Sequence, residues 1–241
     1  LVFDEIFANF LLSSDIRNKI KKIKKKNKVF NSKHQSTIIN NLKFNLTIDQ
    51  TKALEKINND MKSKQKMFRL LQGDVGSGKT IVSVIAALNA VKAGYQVAIM
   101  APTEILANQH YKYIINNFKK YCNSEILTGK TEYRQRKKIL NDLLNKKIDV
   151  LIGTHALFQN KITYNNLGLI IIDEQHKFGV NQRKKLSDKG GDNCDVLVMS
   201  ATPIPRTMMM TIYGDMDISL IKSKPKNRKP IKTYSKNETK I

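Results

Sequence analysis

The chain has 241 residues, 41% of them hydrophobic, which suits one large globular domain with short appendages better than two complete domains. Its 36 Lys and 7 Arg against 20 acidic residues give a formal charge of +23, a field that favours polyanions, most plausibly nucleic acid, although part of the excess is drift toward Lys, Asn and Ile in a chain without Trp. Cys122 and Cys194 stand far apart without a C-x-x-C partner, the histidines lack ligand spacing and no apolar run nears the ~20 residues that span a bilayer, which excludes a disulfide scaffold, a zinc finger and a transmembrane helix and fits a reducing cytoplasm.

In chain order, Phe3, Ile6, Phe7, Phe10, Leu11, Ile16, Ile20 and Ile23 recur at helical spacing and predict one amphipathic helix. Its apolar opening contains Asp4 and Glu5 and lacks a basic leader, so it does not read as a signal peptide. The basic run Lys19 to Lys28 fits either a solvated helix end or a contact with DNA phosphates. Asn31 to Asn41 is polar and weakly patterned, as in a linker. The predicted divisions are a helical connector with a basic linker over 1–42, an α/β lobe over 43–223 and an exposed basic linker over 224–241.

Within the lobe, strands are predicted at Met67 to Leu71, Gln96 to Ala101, Ser124 to Leu127, Asp149 to Ile152, Leu169 to Ile172 and Val196 to Met199. Helices alternate with them at Ile81 to Ala93, Ile105 to Phe118 and Tyr133 to Asn145, with Gly94 suited to a helix C-cap. Alternation of this kind predicts a mostly parallel, doubly wound sheet.

Two motifs carry chemistry. Gly73-Asp74-Val75-Gly76-Ser77-Gly78-Lys79-Thr80 matches G-x-x-x-x-G-K-[ST] between a strand and a helix. Glycines there let backbone N–H groups curl around phosphates, Lys79 neutralises charge and Thr80 offers a hydroxyl to Mg²⁺. The apolar run ending in Asp173 and Glu174 puts two carboxylates at a strand's C-terminal end, where ligands sit in open α/β sheets. Asp173 would hold the metal, and Glu174 would take a proton from the attacking water. The pair predicts a Mg²⁺-dependent ATPase.

Further segments resemble those of superfamily 2 helicases and, among these, the first RecA-like lobe of the RecG family of branched-DNA helicases. Phe44-Asn45-Leu46-Thr47-Ile48-Asp49-Gln50 is similar to the adenine-reading segment, in which Gln50 would meet the base edge and Phe44 or Leu46 its face. Taken alone, that segment is a Thr-capped helix start. Ala101-Pro102-Thr103-Glu104-Ile105-Leu106-Ala107-Asn108-Gln109-His110 resembles motif Ia, while Leu127-Thr128-Gly129 and Gly153-Thr154-His155 resemble later strand-tracking motifs. Pro102, Thr103, Gln109, His110, Thr128, Gly129, Gly153, Thr154 and His155 are accordingly expected at DNA, with Thr103 equally suited to a helix cap.

Ser200-Ala201-Thr202-Pro203-Ile204-Pro205-Arg206-Thr207 resembles motif III, so Ser200, Ala201, Thr202 and Arg206 would couple nucleotide state to DNA grip, the hydroxyls through the Asp173–Glu174 loop. Gln175, Lys177 to Arg183 and Tyr213 to Asp217 point to the RecG branch, and Gln175 would join Glu174, Asp173 and Lys79 in the catalytic set. The resemblance implies ATP and Mg²⁺ as cofactors, branched DNA as partner, and a wedge domain and second RecA-like lobe beyond this chain, without a membrane. Two alternatives stay open: the lobe of a transcription-repair coupling translocase, and a truncated, non-catalytic remnant that binds ATP or DNA.

Overall fold

The computed structural model describes residues 23–158, 162–173, 191–202 and 216–223, with the side chains at 155 and 158 left aside. Glu174, Gln175, Lys177 to Arg183, Pro203 to Asp215 with Arg206, the opening helix before Ile23 and the 224–241 tail lie outside the described residues.

Seven strands form one parallel sheet: β1 Phe68–Gly73, β2 Gln96–Met100, β3 Ser124–Leu127, β4 Val150–Gly153, β5 Leu167–Asp173, β6 Asp195–Ser200 and β7 Asp217–Ile221. Their order is β3-β4-β2-β5-β6-β1-β7. Among the described residues the α-helices are α1 Ser32–Asn40, α2 Ile48–Lys62, α3 Lys79–Lys92, α4 Glu104–Phe118 and α5 Tyr133–Leu144. The doubly wound α/β reading therefore stands.

The centre of the sheet is apolar on both faces: α1 to α4 pack on one of them around Leu71, Ile99 and Ile171, and Leu70, Met100 and Ile170 are buried on the other. β2 and β4 are buried throughout, and β5 is buried up to Asp173. Helix α3 is buried continuously from Ile81 to Ala90, so its N-terminus is rigidly seated at the end of β1. Its capping residue is Ala93, and Gly94 follows with φ +85°. Gln96, a buried amide at the start of β2, donates to Leu143 O at 2.7 Å and Ile148 O at 2.9 Å. Its oxygen accepts from the N–H groups of Asn165 and Asn166, which satisfies the amide and ties β2 to its neighbours.

Three departures from the sequence reading stand out. The supposed linker at Asn31 to Asn41 contains helix α1, capped by the Asn31 side chain accepting from Lys33 N, and fully buries Ile38. Burying that side chain is worth about 1.5–3 kcal/mol, enough to seat a helix whose other positions are largely polar. Gln35 of α1 also accepts from Asn58 at 2.7 Å and Asn89 at 2.8 Å, joining α1 to α2 and α3.

The second departure concerns the basic run. Lys25 and Lys28 are neither solvated nor turned outward: both side chains are fully buried and converge on Asp195 at 2.6 and 2.8 Å. Asp195 also accepts from Met67 N at 2.8 Å, and Lys28 lies over the Tyr95 ring. Burial lowers the Lys25 pKa against the pull of Asp195. A buried carboxylate needs counter-charges, and the chain preceding the lobe supplies them. The third is β7, an edge strand absent from the predicted set, which pairs with β1 from Arg69↔Asp217 to Gly73↔Ile221.

Candidate nucleotide and metal site

The phosphate loop leaves β1 at Gly73 and enters α3 at Lys79. Gly78, at φ +84°, occupies the N-cap position without a side-chain cap, a left-handed conformation that favours glycine. The first-turn N–H groups of α3 thus face the loop, where the helix dipole favours an anion. A Cβ on Gly73 would lie 2.5 Å from Ser77 Oγ, so only glycine lets the loop close this tightly. Ser77 is fully buried, and its Oγ has no hydrogen-bond partner among the described residues.

Lys79 Nζ donates to Gly73 O at 2.7 Å and Asp74 O at 3.2 Å, which holds the ammonium inside the curl. Asp74 Oδ1 accepts from Val75 N, Gly76 has φ +75°, and Thr80 is half-buried in the first turn of α3. This donor set fits a nucleotide phosphate: a glycine cradle, a helix N-terminus, one ammonium and an unpartnered buried hydroxyl.

Gln50 is where the adenine expectation meets a different geometry. Its oxygen accepts from Thr47 N at 2.8 Å in a capping box, and its Nε2 donates to Ser77 O at 2.8 Å. With 2% exposure it braces the phosphate loop from α2. Phe44 is 46% exposed, and Leu46 is half-buried against the main core.

Asp173 ends β5, separated from β1 by β6 alone, so the acidic group and the phosphate loop share the C-terminal edge of the sheet. Its Oδ2 lies 2.8 Å from His110 Nε2, with both side chains mostly buried. His110 therefore faces the acidic strand end, where the sequence reading had expected a DNA contact. Mg²⁺ suits the available oxygen donors, the Asp173 carboxylate and the Thr80 hydroxyl.

Motif III follows β6. Ser200 Oγ accepts from Thr202 N at 3.2 Å, and Gln72 at the end of β1 donates to Thr202 O at 2.8 Å. The expected contact of these hydroxyls with the Asp173–Glu174 loop involves Glu174, outside the described residues; the described bonds run within the segment and to β1. Ala201 is half-buried between them. Gln72 escaped the sequence reading, though an amide inside the buried run Leu70-Leu71-Gln72-Gly73 was a usable signal. Asp49 escaped too: it accepts from the N–H groups of Lys222 and Ser223, 173 and 174 residues away, which no local pattern could reveal.

The loops after β2, β3 and β4 open on the same edge. Thr103 caps α4 by accepting from Leu106 N, and is exposed, as is Gln109; Pro102 is half-buried. Thr128 forms a local turn by accepting from Lys130 N, beside exposed Gly129. Lys130 pairs with Glu104 at 3.5 Å and links that turn to the start of α4. Gly153 packs against the backbone of Leu127, leaving no room for a Cβ. Thr154 is half-buried, and His155 opens a 3₁₀ turn over His155–Phe158.

A family profile described as DEAD/DEAH box helicase matches residues 47–211, from the Gln50 segment through motif III. The chain belongs to the DEAD/DEAH box helicase family. Within this family the likeness is to RecG. The ATP-dependent DNA helicase RecG of Aquifex aeolicus is 48% identical over 97% of this chain, which spans 30% of that protein. RecG of Streptococcus pneumoniae is 53% identical over 80% of the chain, spanning 28% of its length. A solved structure described as RecG bound to a three-way DNA junction superposes with a TM-score of 0.84 at 44% identity, covering 95% of this chain and 31% of that one. The Pyrococcus furiosus Hef helicase domain, 22% identical with a TM-score of 0.54 over 73% of this chain and 37% of its own, shares the helicase fold. Among the described residues no helix is long and apolar enough to cross a membrane.

Proposed function

We propose that this chain is the ATP-binding motor lobe of a RecG-type DNA helicase and translocase, coupling ATP hydrolysis to the remodelling of branched DNA such as stalled forks and Holliday junctions. The observation that carries this reading is the phosphate loop and Asp173 on one sheet edge, separated by a single strand, in a chain so similar to RecG. ATP supplies the phosphoanhydride whose cleavage drives the motor. The backbone of Gly73 to Gly78 and Lys79 cradle its phosphates, and Gln50 keeps that loop in shape from α2. Thr80 and Asp173 hold Mg²⁺, while Glu174 takes the proton of the attacking water. Gln175, Ser200, Ala201, Thr202 and Arg206 pass the nucleotide state toward DNA, and the Gln72–Thr202 bond supports that route by joining the phosphate-loop strand to the motif III segment.

Pro102, Thr103, Gln109, Thr128, Gly129, Gly153, Thr154 and His155 form the DNA-tracking edge, whose N–H and hydroxyl groups suit phosphates of any sequence. A wedge domain and a second RecA-like lobe complete the machine, the latter contributing an arginine typically worth ~10³ to 10⁵ in rate. The setting is the bacterial cytoplasm beside the nucleoid. ATP turnover by this chain, with and without forked DNA, together with nucleotide binding in Mg²⁺, tests the reading. Mg²⁺-dependent binding without DNA-stimulated turnover is expected of a lone first lobe; failure to bind nucleotide would overturn it.

A further inference from the structure

We propose that His110 is a positioning residue for the metal-holding carboxylate, fixing Asp173 through its Oδ2 and tying it to helix α4. The inference rests on the reading of Asp173 as a Mg²⁺ ligand. It begins from the pattern of α4, whose buried positions are Ala107, His110, Ile114 and Phe118. His110 is the polar member of that stripe, and an imidazole in a core position costs stability unless it is hydrogen-bonded. Its Nε2 bonds to the Asp173 carboxylate, 63 residues away, at 2.8 Å.

The topology makes this contact possible. β2 and β5 are parallel neighbours with Met100 opposite Ile172, so both chains reach the same edge together. The chain from β2 turns through Ala101 to Thr103 into α4, whose second turn brings His110 to Asp173 at the end of β5. An ionised carboxylate only accepts, so Nε2–H donates and the Oδ2 lone pairs are oriented by a rigid helix. Such a bond leaves Oδ1 to a cation and removes the rotational freedom that the carboxylate would otherwise lose on metal binding. Because exposed Thr103 caps the start of α4, a displacement of that helix would reach Asp173 through the His110 hydrogen bond.

The test compares the unaltered chain with His110→Ala and His110→Gln, titrating Mg²⁺ against the binding of a fluorescent, non-hydrolysable ATP analogue. Analogue affinity in EDTA and urea unfolding serve as controls. His110→Ala should raise the half-saturating Mg²⁺ concentration about tenfold, as loss of a bond behind a metal ligand does, with EDTA affinity unchanged. His110→Gln, whose amide N–H can reach the same oxygen, should recover most of that loss. Equal Mg²⁺ dependence in the unaltered chain and both variants would overturn the positioning role alone. A parallel loss of affinity with and without Mg²⁺, unrelieved in His110→Gln, would assign His110 to packing and likewise overturn it. If binding by the unaltered chain proved independent of Mg²⁺, the metal reading of Asp173 would fall first.

Discussion

Asp173 and Asp195 stand on neighbouring strands at opposite ends of the sheet, and the same side chain has opposite fates. Asp195, at the start of β6, is fully buried and saturated: Oδ1 takes Lys25 Nζ and Met67 N, and Oδ2 takes Lys25 Nζ and Lys28 Nζ. Asp173, at the end of β5, is partly open, and the one described bond of its side chain is to His110. A carboxylate whose lone pairs are all used by the chain is a structural anchor. One held through one oxygen among the described residues, at the C-terminal edge, suits the ligand role proposed for it. On the proposed reading the two ends of the sheet divide the labour, the lower end fastening the preceding segment and the upper end holding the nucleotide and its metal.

The largest effect should come from breaking the anchor. Asp195→Ala leaves two buried ammonium groups without a counter-charge, and removing one member of such a cluster costs about 3–5 kcal/mol. Urea unfolding of this chain should show that loss. Asp173→Asn should change unfolding by about 1 kcal/mol or less while abolishing Mg²⁺-dependent nucleotide binding. The contrast would collapse if both substitutions moved the unfolding midpoint alike. A smaller effect sharpens the upper end: Lys79→Ala should weaken nucleotide binding by about 10- to 100-fold, the value of a charge-assisted bond, with unfolding nearly unchanged. Calorimetric titration with ATP measures it, and unaltered affinity would remove Lys79 from the phosphate site.

How much of this was legible in the sequence depends on whether the decisive partner was local. The central strands were visible because burial on both faces writes continuous apolar runs such as Leu169 to Ile172, and the phosphate loop was visible because its glycines and Lys79 are contiguous. Strand β7 was not, since an edge strand with Ser219 and exposed Leu220 carries no such run. Helix α1 was hidden for a similar reason, resting on Ile38 and an amide network shared with Asn58 and Asn89. The partners of Lys25 and Lys28 lie 170 and 167 residues away, so their sequence context could only suggest a charged surface. His110 was noticed for its motif, but its orientation depended on the neighbouring of β2 and β5, which is a property of the sheet order.

The subtlest expected effect lies at Asp49, a third carboxylate that belongs to neither class. It sits in the first turn of α2, one residue before Gln50, and accepts from Lys222 N at 3.0 Å and Ser223 N at 2.8 Å, where the chain leaves β7. The Ser223 hydroxyl adds a 2.9 Å bond to Thr47, whose side chain caps the same helix. The Ser223 and Lys222 N–H groups favour the ionised form and hold the Asp49 carboxyl below its ordinary 3.8. A depressed carboxylate pKa contributes stability that is complete above the ordinary value and is lost as pH falls through the lower folded-state value. Hydrogen exchange at the Lys222 and Ser223 amides, corrected for intrinsic rates, should therefore lose protection as pH falls below the ordinary 3.8. Asp49→Asn should show reduced protection with no such pH dependence. Equal profiles would mean that the exit from β7 is held by its strand pairing, and that α2, which braces the phosphate loop through Gln50, has no grip on the chain beyond.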